Sequence, residues 1–208
     1  MTDQRPVTTS RARWVAPDGT GALIFDCDGT LADTMPSHYV AWSQMVARHG
    51  IPFSEQRFYE LGGVPSDRII AILSDESGVA VDDVASMVAY KEQLYVDSIG
   101  GVRRVDEVCE VAERYHGVLP MAVASGGERE IVAHTLTAIG VDHLFDAVVG
   151  AEDTSRHKPD PDPFLEAARR LGVPPSQCVV FEDTDLGLLA ASRAGMLGVD
   201  IRPWRIPS

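Results

Sequence analysis

Residues 23–30 read LIFDCDGT. An apolar run passes straight into Asp26-Cys27-Asp28-Gly29-Thr30, so a buried strand ends in two carboxylates one residue apart. Side chains at i and i+2 of an extended strand share a face, which sets Asp26 and Asp28 side by side and turns Cys27 away into the core. At about 4–5 Å and an effective dielectric near 20, two such charges repel by roughly 3–4 kcal/mol. The pair demands positive charge from a cation, a lysine or both.

Working outward, short β-rich runs recur: ALIF (22–25), LPMAVA (119–124), AVVG (147–150), CVVF (178–181) and LGVDI (197–201). Helical patterns separate the later ones. REIVAHTLTAIG sets Ile131, Val132, Leu136 and Ile139 on one side and stops at Gly140. PDPFLEAARRLG offers Asp162 as N-cap and Pro163 at the first helical position. DLGLLAASRAG stops at Gly195. Continuous apolar strands alternating with helices predict an α/β protein with a parallel sheet covered on both faces. Residues 33–103 break the alternation and read as four helices (37–49, 54–61, 66–73 and 82–99) with no strand among them. LGGVPS (61–66) forms a turn between two of these helices. The expected division is a flexible leader over 1–20, a core built from 21–32 and 104–208, and a helical cap over 33–103.

The bulk composition narrows the function. With 31 acids against 18 bases, the chain carries a formal charge of −13, which disfavours nucleic acid and anionic membrane surfaces as partners. A small anionic substrate remains compatible if the site concentrates its own positive charge. The three cysteines are scattered without a CxxC pair, as reduced, buried thiols are. No stretch has the length of a signal-peptide core or a membrane span. These features predict a cytoplasmic protein, monomeric or weakly oligomeric.

Ligands of open parallel sheets gather at the carboxyl ends of the strands, and four strand ends here carry reactive side chains. They are Asp26 to Thr30, then Ser125-Gly126-Gly127, then Lys158 in AEDTSRHKPDP, then Glu182-Asp183. Carboxylates at Asp26, Asp28, Asp183 and Glu182 form a hard-oxygen site suited to Mg²⁺. Ser125 and the amides of Gly126 and Gly127, close to a helix start, can receive phosphate oxygens. Lys158 adds a fixed cation. With metal and lysine present, one aspartate can attack phosphorus and the other can shuttle a proton.

In order and spacing these motifs resemble the phosphotransferase branch of the haloacid dehalogenase (HAD) superfamily. FDCDGTLADTMPSHYVAW, LPMAVASGG and HKPDPDPFLEAARRLGVPPSQCVVFEDTDLG are most similar to its β-phosphoglucomutase-like subgroup, and within it to fructose-1-phosphate/6-phosphogluconate-type sugar phosphatases. The resemblance implies a Rossmann-like core with a helical cap inserted after the first strand. It implies an aspartyl-phosphate on Asp26, with Asp28 as general acid/base that also offers its backbone carbonyl to Mg²⁺. Ser125, Gly126, Thr30 and Lys158 then bind phosphate, and Asp183 with Glu182 completes the metal site. His38 and Trp42 either line the sugar pocket or form a helix packing face. Gly63 and Arg129 are further candidate substrate contacts, while Lys91 either reaches the substrate or lies in solvent.

Two phosphoryl-transfer readings compete. A mutase must grip the distal phosphate of a bisphosphate with cations. Mutases of the subgroup carry an arginine where this chain has Ser66 and a lysine where it has Glu128, although Arg68 and Arg129 lie nearby. That departure favours a hydrolase of a small phosphorylated metabolite over a β-phosphoglucomutase. A receiver-type signalling module also uses Asp, Ser/Thr and Lys, but it is shorter and has no helical insertion after its first strand.

Overall fold

The computed structural model describes residues 14–205. Five strands make one parallel sheet: β1 (Ala22–Phe25), β4 (Met121–Ala124), β5 (Ala147–Val149), β6 (Cys178–Glu182) and β7 (Leu197–Asp200), in the spatial order β5-β4-β1-β6-β7. Every residue of β1 is fully buried, as its unbroken apolar run requires. The two-residue period still sorts its side chains. Leu23, Phe25 and Cys27 enter one hydrophobic layer with α5 (Asp106–Tyr115) and α6 (Arg129–Ala138). Ala22 and Ile24 enter the other layer with α7 (Asp162–Leu171) and α8 (Asp185–Arg193). The chain builds outward from β1 through β4 to β5, then returns to β6 on β1's other side. The crevice at that reversal lies beyond the carboxyl ends of β1, β4 and β6, where side chains from all three meet.

Between β1 and β4 stand α1 (Met35–Ala47), α2 (Glu55–Glu60), α3 (Ser66–Ser77) and α4 (Val84–Ser98). They have a core of their own, with Trp42, Met45, Phe58, Leu61, Ile70, Leu73 and Met87 packed together. Contrary to the expectation of no strand in residues 33–103, a short antiparallel ladder joins β2 (Ala32–Asp33) to β3 (Arg103–Arg104). It pinches the two connections between cap and core together. Two residues per strand give no period to read, so the ladder is a product of tertiary closure. Likewise, α5 gave no expected element although its amphipathic face is buried. At α7 the N-cap is Pro161, and Asp162 is instead the first helical residue.

The expected leader over 1–20 is corrected where it can be seen. Residues 1–13 lie outside the described residues. Trp14 is buried, its ring set edge-on to Phe181 at 4.8 Å and to Tyr115 at 5.9 Å. Arg114 donates to the Trp14 carbonyl at 2.9 Å, and the Ala16 amide donates to the Tyr115 hydroxyl at 2.8 Å. A single aromatic ring between Arg13 and Val15 gave no periodic signal, yet its burial adds to one layer of the core. Among the described residues no helix is long and apolar enough to cross a membrane. Trp14→Ala should lower unfolding stability by about 3–5 kcal/mol. Denaturant melts would show this as a lower midpoint at constant slope; a midpoint equal to wild type would refute the anchoring role.

Candidate active site

The end of β1 carries Asp26 into the crevice, and its amide is held by the Phe181 carbonyl at 3.0 Å. Lys158 reaches it from the loop after β5. The Lys158 ammonium donates to Asp26 Oδ1 at 2.7 Å and to Glu182 Oε1 at 2.8 Å, and all three side chains are buried. Burial would lower the lysine pKa, but Asp26 and Glu182 outweigh it and hold the ammonium above its usual range. Glu182 commits its second oxygen to the Thr184 amide at 2.7 Å and hydroxyl at 2.8 Å. It orients the lysine, and each of its oxygens already accepts from one of these groups.

Asp183 lies against the other side of the turn. A Cβ on Gly29, whose φ is +87°, would collide with the Asp183 carboxylate, so the glycine makes the approach possible. Asp26, Glu182 and Asp183 present oxygens within 4.8 Å of one another. Burial pushes the Asp183 carboxyl up to about 7, with Glu182 adding to the push. Burial likewise raises Asp26 well above the carboxylate range; Lys158 opposes this, while Glu182, Asp183 and Asp28 reinforce it. One ammonium does not neutralise the cluster. An oxygen-rich donor set with excess negative charge fits a hard divalent cation.

Asp28 sits in a different environment. Thr34 donates to Oδ1 at 2.7 Å, His38 Nε2 lies 3.1 Å from the same oxygen, and Ser125 donates to Oδ2 at 3.3 Å. Burial alone would raise this carboxyl, but His38, Thr34 and Lys91 hold it well below the usual range. His38 is itself lowered, by burial and by Lys91. A neutral His38 therefore donates from Nε2, with its ring stacked on Tyr95 at a centroid distance of 3.8 Å. The two aspartates of one short motif are thus pulled toward opposite protonation states.

The chamber above them is lined by Asp26, Asp28, Ser125 and Gly126 from the core and by His38, Trp42, Gly63 and Lys91 from the cap, among others. Cap and core touch where Gly63 meets Gly126: a Cβ on Gly126 would lie 2.5 Å from the Gly63 carbonyl oxygen. Ser125 accepts from the Gly127 amide at 3.0 Å, which curls the loop at the end of β4.

Two sequence-based candidates are misplaced. Thr30 is fully buried and donates to Asp183 Oδ1 at 3.3 Å, so it orients a carboxylate and does not face the chamber. Arg129 turns outward to Asp153 at 3.0 Å and Glu152 at 3.9 Å, and it lines no part of the chamber. Arg68 is exposed and also absent from the lining. Lys91 resolves the other way. It is 4% exposed, paired with Glu92 at 2.9 Å, and its ammonium lies 5.5 Å from the Trp42 ring centroid. Its i+1 neighbour Glu92 was missed altogether; a lysine followed by a glutamate on a helix reads as ordinary surface.

Comparison with known proteins agrees with this geometry. A family model described as haloacid dehalogenase-like hydrolase matches residues 20–195. Fructose-1-phosphate phosphatase YqaB of Escherichia coli (strain K12) is 41% identical over 183 residues, covering 86% of this chain and 95% of that protein. Validoxylamine A 7'-phosphate phosphatase of Streptomyces hygroscopicus subsp. limoneus is 33% identical, covering 86% of this chain and 84% of that one. The crystal structure of a hydrolase from Pseudomonas syringae superposes with a TM-score of 0.78 at 29% identity, covering 86% and 84% of the two chains. The carboxylate cluster, the lysine bridging it and the serine loop facing it are thus set in a fold and a sequence pattern with one common assignment: the chain belongs to the haloacid dehalogenase-like hydrolase family.

Proposed function

We propose that the protein is a Mg²⁺-dependent phosphatase of a small phosphorylated metabolite of the sugar phosphate class, working in the cytoplasm through an aspartyl-phosphate on Asp26. The observation that carries this reading is the Lys158 bridge beneath Asp26, facing Ser125 and Asp28 across a capped chamber. The names of the Escherichia coli and Streptomyces relatives support the same class. Asp26 and Asp183, with Glu182 beside them, would hold the cation, and the family pattern adds the Asp28 backbone carbonyl. When bound, the cation supplies charge neutralisation for the carboxylates and the phosphoryl oxygens.

The residues divide the chemistry. An oxygen of Asp26 attacks phosphorus, the ester P–O bond breaks, and Asp28 delivers its proton to the leaving oxygen. Asp28 then takes a proton from water as that water attacks the phosphoryl group, breaking the bond to Asp26 and releasing inorganic phosphate. Asp28 starts from a carboxylate held low by its neighbours. A phosphate dianion arriving beside it opposes that ionisation, so Asp28 takes up a proton from solvent as substrate binds and enters the first step as the acid. Lys158 stays charged and keeps its place through both steps.

A phosphatase is favoured over a mutase because the cations a bisphosphate requires are missing from the chamber. Arg129 is bound to Asp153, Arg68 is exposed and absent from the lining, and Lys91 is already paired with Glu92. Sugar monophosphates should release inorganic phosphate with Mg²⁺, and Asp26→Asn should cut turnover by about 10³-fold or more, since an amide is a poor nucleophile. Isomerisation of glucose 1-phosphate primed by glucose 1,6-bisphosphate, with little free phosphate, would establish the mutase instead.

A second expectation concerns the cation without reference to turnover. Asp183 is raised in the fold to about 7, so between about pH 4 and 7 the unfolded chain has released a proton that the fold retains. Cation-free protein therefore loses stability as pH rises through that window. A bound cation takes the proton's place. Thermal melts should show a larger gain from Mg²⁺ at pH 8 than at pH 5.5, and the pH dependence of that gain should weaken in Asp183→Asn. Equal gains at both pH values would contradict the assignment.

A further inference from the structure

One charged oxygen in the chamber wall is left unused by the phosphatase chemistry. Glu92, on α4, is 8% exposed and lines the chamber. Its Oε1 accepts from Lys91 Nζ at 2.9 Å and from Ser66 Oγ at 3.1 Å. Its Oε2 is buried and has no hydrogen-bond partner among the described residues. Buried polar atoms are almost always paired, and an ionised carboxylate accepts only. A substrate that displaces water from the chamber must bring the donor for this oxygen itself. A phosphate dianion has no hydrogen to give. A hydroxyl does, and it brings no charge.

The surroundings narrow the donor further. Lys91 lies beside the carboxylate, so an incoming ammonium would meet like charge, while the Lys91–Glu92 pair leaves no free cation for a second anion. The adjoining cleft between cap and core is shared by Glu92, Glu128 and Asp67. Burial, then the charge of Glu92, raises the Glu128 carboxyl, so acids already crowd this side of the site. A second carboxylate or phosphate on the substrate would add to it.

We propose that Glu92 is the specificity-determining residue of the chamber: its Oε2 accepts a hydroxyl of the substrate's organic part, selecting polyhydroxylated monophosphates over phosphorylated acids. This deepens the phosphatase reading and rests on it. Leaving a buried acceptor unpaired penalises a substrate that lacks the donor far more than a lost apolar contact would. Ser66 and Lys91 fix the carboxylate's orientation from its other oxygen, which leaves Oε2 as the acceptor without a partner in the structure.

The test compares kcat/KM for the best of a set of hexose and pentitol monophosphates with kcat/KM for 2-phosphoglycolate, in wild type and Glu92→Gln. The amide keeps an oxygen for Lys91 and Ser66 but turns a donor toward the substrate. The sugar-to-acid ratio should fall by at least about tenfold, chiefly through a higher KM for the sugar phosphate. A merely structural role would lower both substrates together and keep the ratio; a fall smaller than tenfold overturns the proposal. If the amide variant fails to fold, Glu92→Asp, which draws the oxygen back by one methylene, reads the same ratio. A wild type that prefers 2-phosphoglycolate overturns this proposal alone. One that releases phosphate from none of these monoesters overturns the phosphatase reading and this with it.

Discussion

The contact on which the site depends is the Lys158 ammonium held between Asp26 and Glu182. Taking three charges out of water is expensive, and the effective penalty in proteins is several kcal/mol for each ion. The fold meets that penalty with short bonds and with an organised far side. Glu182 is anchored by the Thr184 amide and hydroxyl, and Thr184 in turn accepts from the Gly187 amide as N-cap of α8. The glutamate thus sits over the positive end of a helix. Such an arrangement fixes a charge in place; it does not by itself add stability. Its product is a lysine that cannot leave and an aspartate that cannot turn.

Two neighbouring aspartates of one motif acquire different duties from what surrounds them. Asp26 faces a lysine and two further carboxylates and is short of positive charge. Asp28 receives two hydroxyls and an imidazole and is held ionised. The cap supplies much of that second environment: Thr34 and His38 enter at the start of α1, and Lys91 comes from α4. Cap position and Asp28 protonation are therefore linked. Tyr95 of α4 bonds to Thr135 of α6 at 2.8 Å, and its ring supports His38, so a contact between cap and core reaches the acid/base through one ring stack.

Much of this was legible in the residue order, for a physical reason. Strand ends in a parallel sheet converge, so the motifs at the ends of β1, β4 and β6 must meet, and the loop after β5 carries Lys158 to them. Asp26, Asp28, Ser125, Lys158 and Asp183 were readable on that ground. What was not readable turns on the direction of a side chain. Thr30 and Arg129 have the right chemistry and a nearby position, but Thr30 turns to Asp183 and Arg129 to an acidic loop. Lys91 and Glu92 carry surface chemistry on a helix whose buried face is set by packing against α1 and the core. Trp14 precedes every recognisable element, and only the aromatic layer around Phe181 explains its burial.

The net charge of −13 and an anionic substrate are reconciled by position. Beyond a Debye length of about 8 Å, surface acids are largely screened in physiological salt. Inside the capped chamber the local charges dominate, and their arrangement is graded. At the end where we propose the phosphoryl group sits are Lys158 and the oxygens of Asp26 and Asp183 proposed to hold a cation. Further out, Lys91 is neutralised by Glu92, and beyond it lie Glu128 and Asp67. Positive charge is concentrated at one end and withheld at the other. The proposed substrate, with a single phosphate and a neutral, hydroxylated remainder, matches that gradient in one orientation; a molecule charged at both ends would match it in neither.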